Sequence, residues 1–578
     1  MKLIDALKII ATAPSDSASF NVSLVTGFTP LHLKTFLHAE LQQLIPQRSI
    51  TVTTGLYGDI AGTLADLNTT QLDAVAITIE WEDLDARLGI RQLGGWDSSA
   101  LDDIVSQAQM RLAQFAAIIG NLSGSFPIAV CLPTLALPPV FTTPGWQASH
   151  QELSLREQLT NFSKVLSQNQ AVRLVSTERL AFLSPTDERL DVRQSWASGF
   201  PYQLSHASAL ASLFSRLIQN PLPMKGLVTD LDNTLWSGIV GEVGPGGVYW
   251  DLDHHSQGHG LYQQFLSELA SEGVLIAAAS KNEPATVTEA FNRKDILLRN
   301  EQIFPMAVSW GSKARAISTI LSQWNIGPDS VVFVDDDPLE IEEVQETHPQ
   351  LTCLRFPSND PQAIYDLLTK LRDLFGKVSI SSEDKLRLES IRANSAFQNE
   401  LADADGFSEA LLERAQAKVT FTAAKNGGDL RALELVNKTN QFNLNGRRLT
   451  EAEWHSYLSK ADSFLVTASY DDRFGSLGKI AAVLGRQSAS VLHIDRWVMS
   501  CRAFARRIEY QTLMFMFDKF GAESISFDYE KTERNAPFTK LISDLCPNHT
   551  TTKCELTREQ FLAICPRLFH QVLETADG

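Results

Sequence analysis

The chain has 578 residues, 44% of them hydrophobic and 20% charged, with a formal net charge of −18. That length exceeds what one core serves and points to about three or four units, while the acidic balance argues against nucleic acid as a partner, because neutralising phosphates takes a basic face. No apolar run approaches bilayer length and the opening Met-Lys-Leu-Ile-Asp-Ala-Leu-Lys is broken by charges, so neither a membrane span nor a signal peptide is expected and a cytoplasmic enzyme is.

From about residue 20 to 218, apolar runs alternate with helical patterns. Positions 21–26, 50–53, 74–79, 128–132 and 172–175 read as strands, while Leu33, Phe36, Leu37, Leu41 and Leu44 mark one helix and residues 104–119 another. Such alternation implies a parallel α/β layer fold.

Residues 226–229, Gly-Leu-Val-Thr, suit a strand buried on both faces, and the run stops at Asp230 and Asp232. Period-two spacing puts both carboxylates on one side of the chain, just past the carboxyl end of a strand, where open α/β sheets place ligands. Asn233 and Thr234 supply polar groups to hold the turn. Alone, Asp-X-Asp-X-Thr also describes a turn with solvated acids; the sequel argues for a site. Residues 274–279 end in Ser280-Lys281-Asn282, Lys313 heads an amphipathic helix marked by Ile317, Ile320, Leu321 and Trp324, and residues 331–334 end in Asp335-Asp336-Asp337-Pro338. Carboxylates suit a magnesium ion, and hydroxyl and cationic groups suit a phosphoryl group, which is almost all charge. The short gap between Asp232 and Ser280 leaves no room for a large inserted cap, so an open site is expected.

Residues 376–384 read as a polar hinge, with Ser382 as N-cap of the next helix. Beyond it, 419–422, 464–468, 479–484 and 491–494 read as strands, Arg473-Phe474-Gly475 as a turn, and the regions near Leu430 and Arg502 as helices. The cysteines, Cys131, Cys353, Cys501, Cys546, Cys554 and Cys565, include no Cys-X-X-Cys pair, so neither a zinc site nor a disulfide framework is suggested. For Cys501 two readings stand side by side. Inert packing is the commoner fate of a buried cysteine, whereas Arg502, Arg506 and Arg507, with a helix starting near the thiol, would favour a thiolate.

The order carboxylate, hydroxyl, lysine, carboxylate in the central region resembles the haloacid dehalogenase superfamily of phosphoryl-transfer enzymes. Asp-Leu-Asp-Asn-Thr-Leu-Trp from Asp230, then Gly238, Gly241, Glu242 and Gly244, Ser280-Lys281-Asn282, Trp310 with Lys313, and Phe333-Val334-Asp335-Asp336 are similar to its FkbH-like branch. Val243 and Asp337 depart from that pattern, standing where an acid and an Asn are expected. The resemblance implies an α/β protein of three domains, each on a mainly parallel or mixed sheet flanked by helices. These are an SGNH-hydrolase-like domain (1–222), a haloacid-dehalogenase-like Rossmannoid phosphatase domain (223–376) and a GNAT-like acyltransferase domain (377–578). In the first, Thr26-Gly27-Phe28-Thr29 replaces the serine-bearing motif and no Asp-X-X-His stands between Asp187 and His206, so that domain is expected to bind rather than catalyse. The third rests on Asn437-Lys438-Thr439-Asn440-Gln441-Phe442-Asn443, Asp472-Arg473-Phe474-Gly475, and Ser500-Cys501-Arg502 with Glu509. There Ala505 and Arg507 replace glycines, and Ser476 and Leu477 replace an acid and an Asn.

What the resemblance implies chemically is a transfer of a glyceryl unit from 1,3-bisphosphoglycerate, or a similar acyl phosphate, to an acyl carrier protein in polyketide-type or related biosynthesis. Asp230 is the expected nucleophile and Asp232 the acid and base. Thr234, Ser280, Asn282 and Lys313 are expected to hold phosphate, and Mg²⁺ to sit among Asp230, the backbone carbonyl of Asp232, Asp335 and Asp336. Cys501 would carry the acyl group, with Asn440, Gln441, Asn443, Arg502, Arg506 and Arg507 receiving the carrier's pantetheine arm. The competing readings are a plain Mg²⁺-dependent phosphomonoesterase with docking domains and a non-catalytic docking subunit of an assembly line.

Overall fold

The computed structural model describes residues 1–14, 17–122, 126–378, 380, 382–403, 409–425, 429–546 and 554–575. They form two compact units, one of Met1–Pro221 with Leu449–Tyr457, the other of Leu222–Arg448 with Leu458–Gly578.

The first unit is built on parallel strands β1 (Ser19–Thr26), β2 (Ser49–Thr54), β3 (Ala74–Thr78), β4 (Ile128–Cys131) and β5 (Val172–Leu174), in the order β2-β1-β3-β4-β5. Alternate residues feed two cores. Val22, Leu24, Ala74 and Ala76 pack with helices Leu31–Leu44 and Leu204–Ile218, and Val25, Val75 and Ile77 pack with helix Leu101–Leu122. The strand order reverses between β1 and β3, so Gly27 and Phe28 stand at the switch point. A Cβ on Gly27 would lie 1.6 Å from the Asp83 carboxylate, and Phe28 is a core ring, 4.9 Å from Tyr202 between centroids. Where a hydrolase serine would stand, the chain has a close backbone approach and a packing residue. Residues 449–457, read from sequence as part of the third domain, belong to this unit: Glu453 pairs with Arg48 at 2.8 Å and Glu451 with Arg173 at 2.5 Å.

The second unit holds two sheets. Parallel strands β6 (Gly226–Thr229), β7 (Leu275–Ser280), β8 (Ile303–Val308), β9 (Val331–Asp335) and β10 (Thr352–Arg355) run in the order β10-β9-β6-β7-β8. The three central strands β6, β7 and β9 are buried throughout, which is why they read as unbroken apolar runs; edge strands β8 and β10 are only partly buried and lack that signal. At the foot of β6, a Cβ on Gly226 would stand 2.4 Å from the Trp324 ring, so glycine is what lets the helix Lys313–Trp324 press onto the strand.

The other sheet is mixed. Strands β11 (Lys418–Ala423), β12 (Phe442–Asn443), β13 (Ser463–Asp472), β14 (Gly475–Ser488), β15 (Val491–Met499), β16 (Ser524–Phe527), β17 (Cys554–Thr557) and β18 (Gln571–Thr575) run β17-β16-β15-β14-β13-β11-β18, with β12 paired to β15. The turn expected at Arg473-Phe474-Gly475 joins β13 to β14. Three expectations change. Arg502 lies in a short 3₁₀ turn, Cys501–Ala503, and the helix begins only at Ile508. Cys546 and Cys554 are disulfide-bonded, a pairing their spacing of eight residues did not suggest. The hinge read over 376–384 includes positions 379 and 381, which lie outside the described residues, and the first helix beyond it contains Ser382 rather than following it.

Candidate functional site

β6 and β9 are the neighbours at which the central sheet reverses order; Asp230 directly follows β6, and β9 ends in Asp335. One oxygen from each of Asp230, Asp335 and Asp336 lies within 4.8 Å of the others. Lys313, first residue of its helix, sets Nζ 2.8 Å from Asp230 Oδ1 and 2.6 Å from Asp335 Oδ2. Thr234 Oγ1 stands 3.5 Å from Asp336 Oδ1, and Asp337 N donates to Asp335 Oδ1 at 2.9 Å. Asp337 itself accepts from Leu339 N at 2.9 Å and so caps the helix Pro338–Thr347. A carboxylate caps as well as an amide, so Asp in place of Asn leaves that corner intact.

The turn after β6 is closed locally: Asn233 takes a left-handed conformation (φ 52°) and accepts from Gly238 N at 3.1 Å. Asp232 is thereby turned toward three donors, Trp236 Nε1 at 2.8 Å and Val240 N at 3.0 Å on Oδ1, and Asn282 Nδ2 at 2.9 Å on Oδ2. Asn282 also donates to Ser280 Oγ at 3.0 Å. The site therefore has two edges, one of Asp232, Asn282 and Ser280, the other of Asp230, Lys313, Asp335 and Asp336. The Asp232 carboxylate is not among the converging oxygens.

Burial holds Asp230 and Asp335 above the usual carboxylate range, with Lys313 pulling both down. Asp336 is raised by burial and then by Asp335. Burial opposes the charge on Lys313, yet Asp230 and Asp335 outweigh it and hold the ammonium above its ordinary value. One ammonium thus faces three carboxylates in a desolvated corner. A small divalent cation would remove the remaining repulsion, and an all-oxygen donor set fits Mg²⁺.

The same helix leads to the second predicted group. It ends at Asn325, left-handed at φ 52°, whose carbonyl accepts from Cys501 Sγ at 3.3 Å. Its 12 residues at 1.5 Å rise span about 18 Å, so the Asp230 site and Cys501 lie at opposite ends of the central sheet. Cys501 lines a cavity of about 510 Å³ together with Asn440, Gln441 and Arg502. The expected thiolate is corrected here. Cys501 is not at a helix start but against the carbonyl end of one, where the dipole disfavours an anion. Burial raises its thiol above the ordinary value although Arg502 and Lys225 pull it down.

Three residues expected at a carrier arm do other work. Asn443 is buried and serves its own turn, accepting from Asn445 N and Gly446 N and donating to Thr439 O. Arg506 has 0% exposure, stacks 3.9 Å over Phe397 and lies 3.5 Å from Asp472, so it has no face for a pantetheine phosphate. Arg507 pairs with Glu409 at 2.8 Å, outside the cavity lining. Ala505 (φ 64°) and Arg507 (φ 58°) are both left-handed: the conformation that glycine would supply is kept without the glycines. Lys225 and Arg387, which line the cavity, were not foreseen as site residues, and Lys438 stood in the motif at 437–443 without a role of its own. Nothing in the local sequence of the first two marks them, because they come from separated segments.

No protein-family model matches the chain, and no curated protein matches it. Among solved structures it is similar to the N-terminal part of protein BF1531 from Bacteroides fragilis, described as containing a phosphatase domain complexed with Mg, at 19% identity and TM-score 0.52, covering 66% of this chain and 100% of that one. The salicylyl-acyltransferase SsfX3 from a tetracycline biosynthetic pathway (14% identity, TM-score 0.22, 36% of this chain and 55% of that one) and MurG of Acinetobacter baumannii (11%, 0.12, 64% and 94%) match too loosely to inform the fold. No described helix is long and apolar enough to cross a membrane. Strand order and the BF1531 likeness agree on the fold: this is a multi-domain α/β protein with a central parallel sheet flanked by helices.

Proposed function

We propose that the chain is an Mg²⁺-dependent phosphoryl-transfer enzyme acting at Asp230. The observation that carries this is the convergence of Asp230, Asp335 and Asp336 on Lys313 at the switch point. An Asp230 oxygen attacks the phosphorus and the bond to the leaving oxygen breaks as Asp232 gives that oxygen a proton. Water then attacks the aspartyl phosphate, its proton passing to Asp232, and inorganic phosphate leaves. Lys313 and Ser280 bind the phosphoryl oxygens, and Asn282 ties Ser280 to Asp232. Mg²⁺ held by Asp230, Asp335 and Asp336 would supply charge neutralisation at the transferred group. Hydrolysis of an aryl phosphate by the full chain in Mg²⁺ tests this: Asp230→Asn should lose about 10³-fold or more of it, and retained activity would remove Asp230 as nucleophile.

The finer reading is glyceryl transfer from 1,3-bisphosphoglycerate to an acyl carrier protein in the cytoplasm, with Cys501 taking the acyl group. It is supported by the placement of Cys501, Asn440, Gln441 and Arg502 in the lining of one cavity. The separation of about 18 Å constrains it. A three-carbon acyl group on Cys501 is shorter than that, so its distal phosphate does not reach Asp230 from the thiol; dephosphorylation belongs to the free or carrier-borne form. Intact-protein mass after incubation with 1,3-bisphosphoglycerate should show a glyceryl-type adduct that Cys501→Ala abolishes. Its absence would leave the phosphatase alone.

A further inference from the structure

The cavity beside Cys501 is charged in a way that neither the phosphatase nor the thiol explains. Among its lining side chains Lys225, Arg387, Arg431, Lys438, Arg502 and Arg534 are cationic, and Asp329 and Glu434 are anionic; against a chain charge of −18 this excess is local. Most of these cations have commitments. Glu434 holds Arg431 at 2.6 Å and also Lys438, Arg387 pairs with Asp384 at 2.6 Å, and Arg502 donates to Ser390 Oγ at 2.6 Å.

Lys225 differs. Its backbone is fixed at the foot of β6, Lys225 N donating to Ser330 O at 2.8 Å and its carbonyl accepting from Leu275 N at 3.0 Å. Lys225 lines the cavity, and its ammonium makes no hydrogen bond or ion pair among the described residues. Burial, then Lys438, Arg387 and Arg431, lower it to about 8, with Glu434 opposing. A partly buried cation crowded by Lys438, Arg387 and Arg431, with Glu434 shared among them, is costly, and an anion in the cavity lowers that cost. Asn440 and Gln441 add amide groups to the same lining as the thiol, and about 510 Å³ is within the range of small-ligand sites.

We propose that this cavity binds a phosphate-bearing ligand, Lys225 meeting the phosphate and the rest of the ligand running past Asn440 and Gln441 toward Cys501. The site deepens the acyl-transfer reading, resting on it only for what the thiol then does. It moves the phosphate contact from Arg506 and Arg507 to the foot of the central sheet.

The test follows alkylation of Cys501 by iodoacetamide in the full chain, located by peptide mass mapping, with EDTA present so that no metal draws phosphate to Asp230. 4′-Phosphopantetheine should slow alkylation saturably, pantetheine lacking the phosphate should need at least about tenfold more, and inorganic phosphate should compete with the protection. Lys225→Met should raise the half-protecting concentration by about tenfold or more and Lys225→Arg should restore it. Equal protection by pantetheine and 4′-phosphopantetheine, or unchanged protection in a folded Lys225→Met, would overturn the proposal. If Cys501 takes no acyl group from 1,3-bisphosphoglycerate while the phosphate-dependent protection holds, the acyl-transfer reading fails and the anion site stands.

Discussion

The two ends of the helix Lys313–Trp324 make opposite kinds of site. At its start an ammonium is outnumbered by buried carboxylates and the shortfall is in positive charge; at its end, cations line a cavity with a thiol that donates to the carbonyl of Asn325, the capping residue, and the shortfall is in negative charge. One end is suited to a cation and a phosphoryl group together, the other to an anionic ligand alone. The sheet between them separates the chemistries, so each end should be damaged without the other.

The sharpest way to break that independence is at Lys313. Removing its ammonium in Lys313→Met leaves Asp230 and Asp335 buried and facing each other, so aryl-phosphate turnover should fall by about 10³-fold or more, with Cys501 alkylation unchanged; a parallel change at Cys501 would mean the helix transmits between its ends. Asp232→Asn keeps the acceptor for Trp236 Nε1 and Val240 N but no longer carries a proton, so turnover should fall about 10²- to 10⁴-fold, least for leaving groups that need no protonation. If all leaving groups lose equally, Asp232 positions rather than protonates.

A milder effect is expected in the first unit. Burial lifts Asp83 to about 8, with the Glu80 amide opposing it and Glu82 and Glu80 adding to the rise. A carboxyl whose folded value lies above its unfolded 3.8 favours the folded chain below that value, and the contribution is lost as pH rises through about 8. Thermal melts should therefore show wild-type stability falling between those limits more steeply than Asp83→Asn; parallel curves would contradict this. The smallest effect is expected at Ala505. Glycine there relieves the left-handed backbone, and Ala505→Gly should stabilise by about 1 kcal/mol or less, because the lost methyl also packs near Phe397 and Leu411; destabilisation would place packing above backbone strain.

These contrasts also mark what was legible in the sequence. Asp230, Ser280, Lys313 and Asp335 were legible because each ends or begins a run with clear periodicity, and buried parallel strands announce their carboxyl ends. Edge strands β8 and β10 were not, being only partly buried. Cys501 was found, but its electrostatics were misjudged: of the three arginines only Arg502 acts on the thiol, Arg506 and Arg507 being engaged elsewhere, while burial, Asn325 and Lys225, the last two distant in sequence, complete its surroundings. Local sequence carries strand ends well and the far side of a cavity poorly.

The central claim is that Asp230 forms the covalent bond to phosphorus. Acid quenching of the full chain during turnover of an aryl phosphate in Mg²⁺, followed by peptide mass mapping, tests it directly. A phosphate adduct on the peptide bearing Asp230, absent from Asp230→Asn, is the predicted result. Undiminished turnover in Asp230→Asn, or an adduct on another residue, would contradict it.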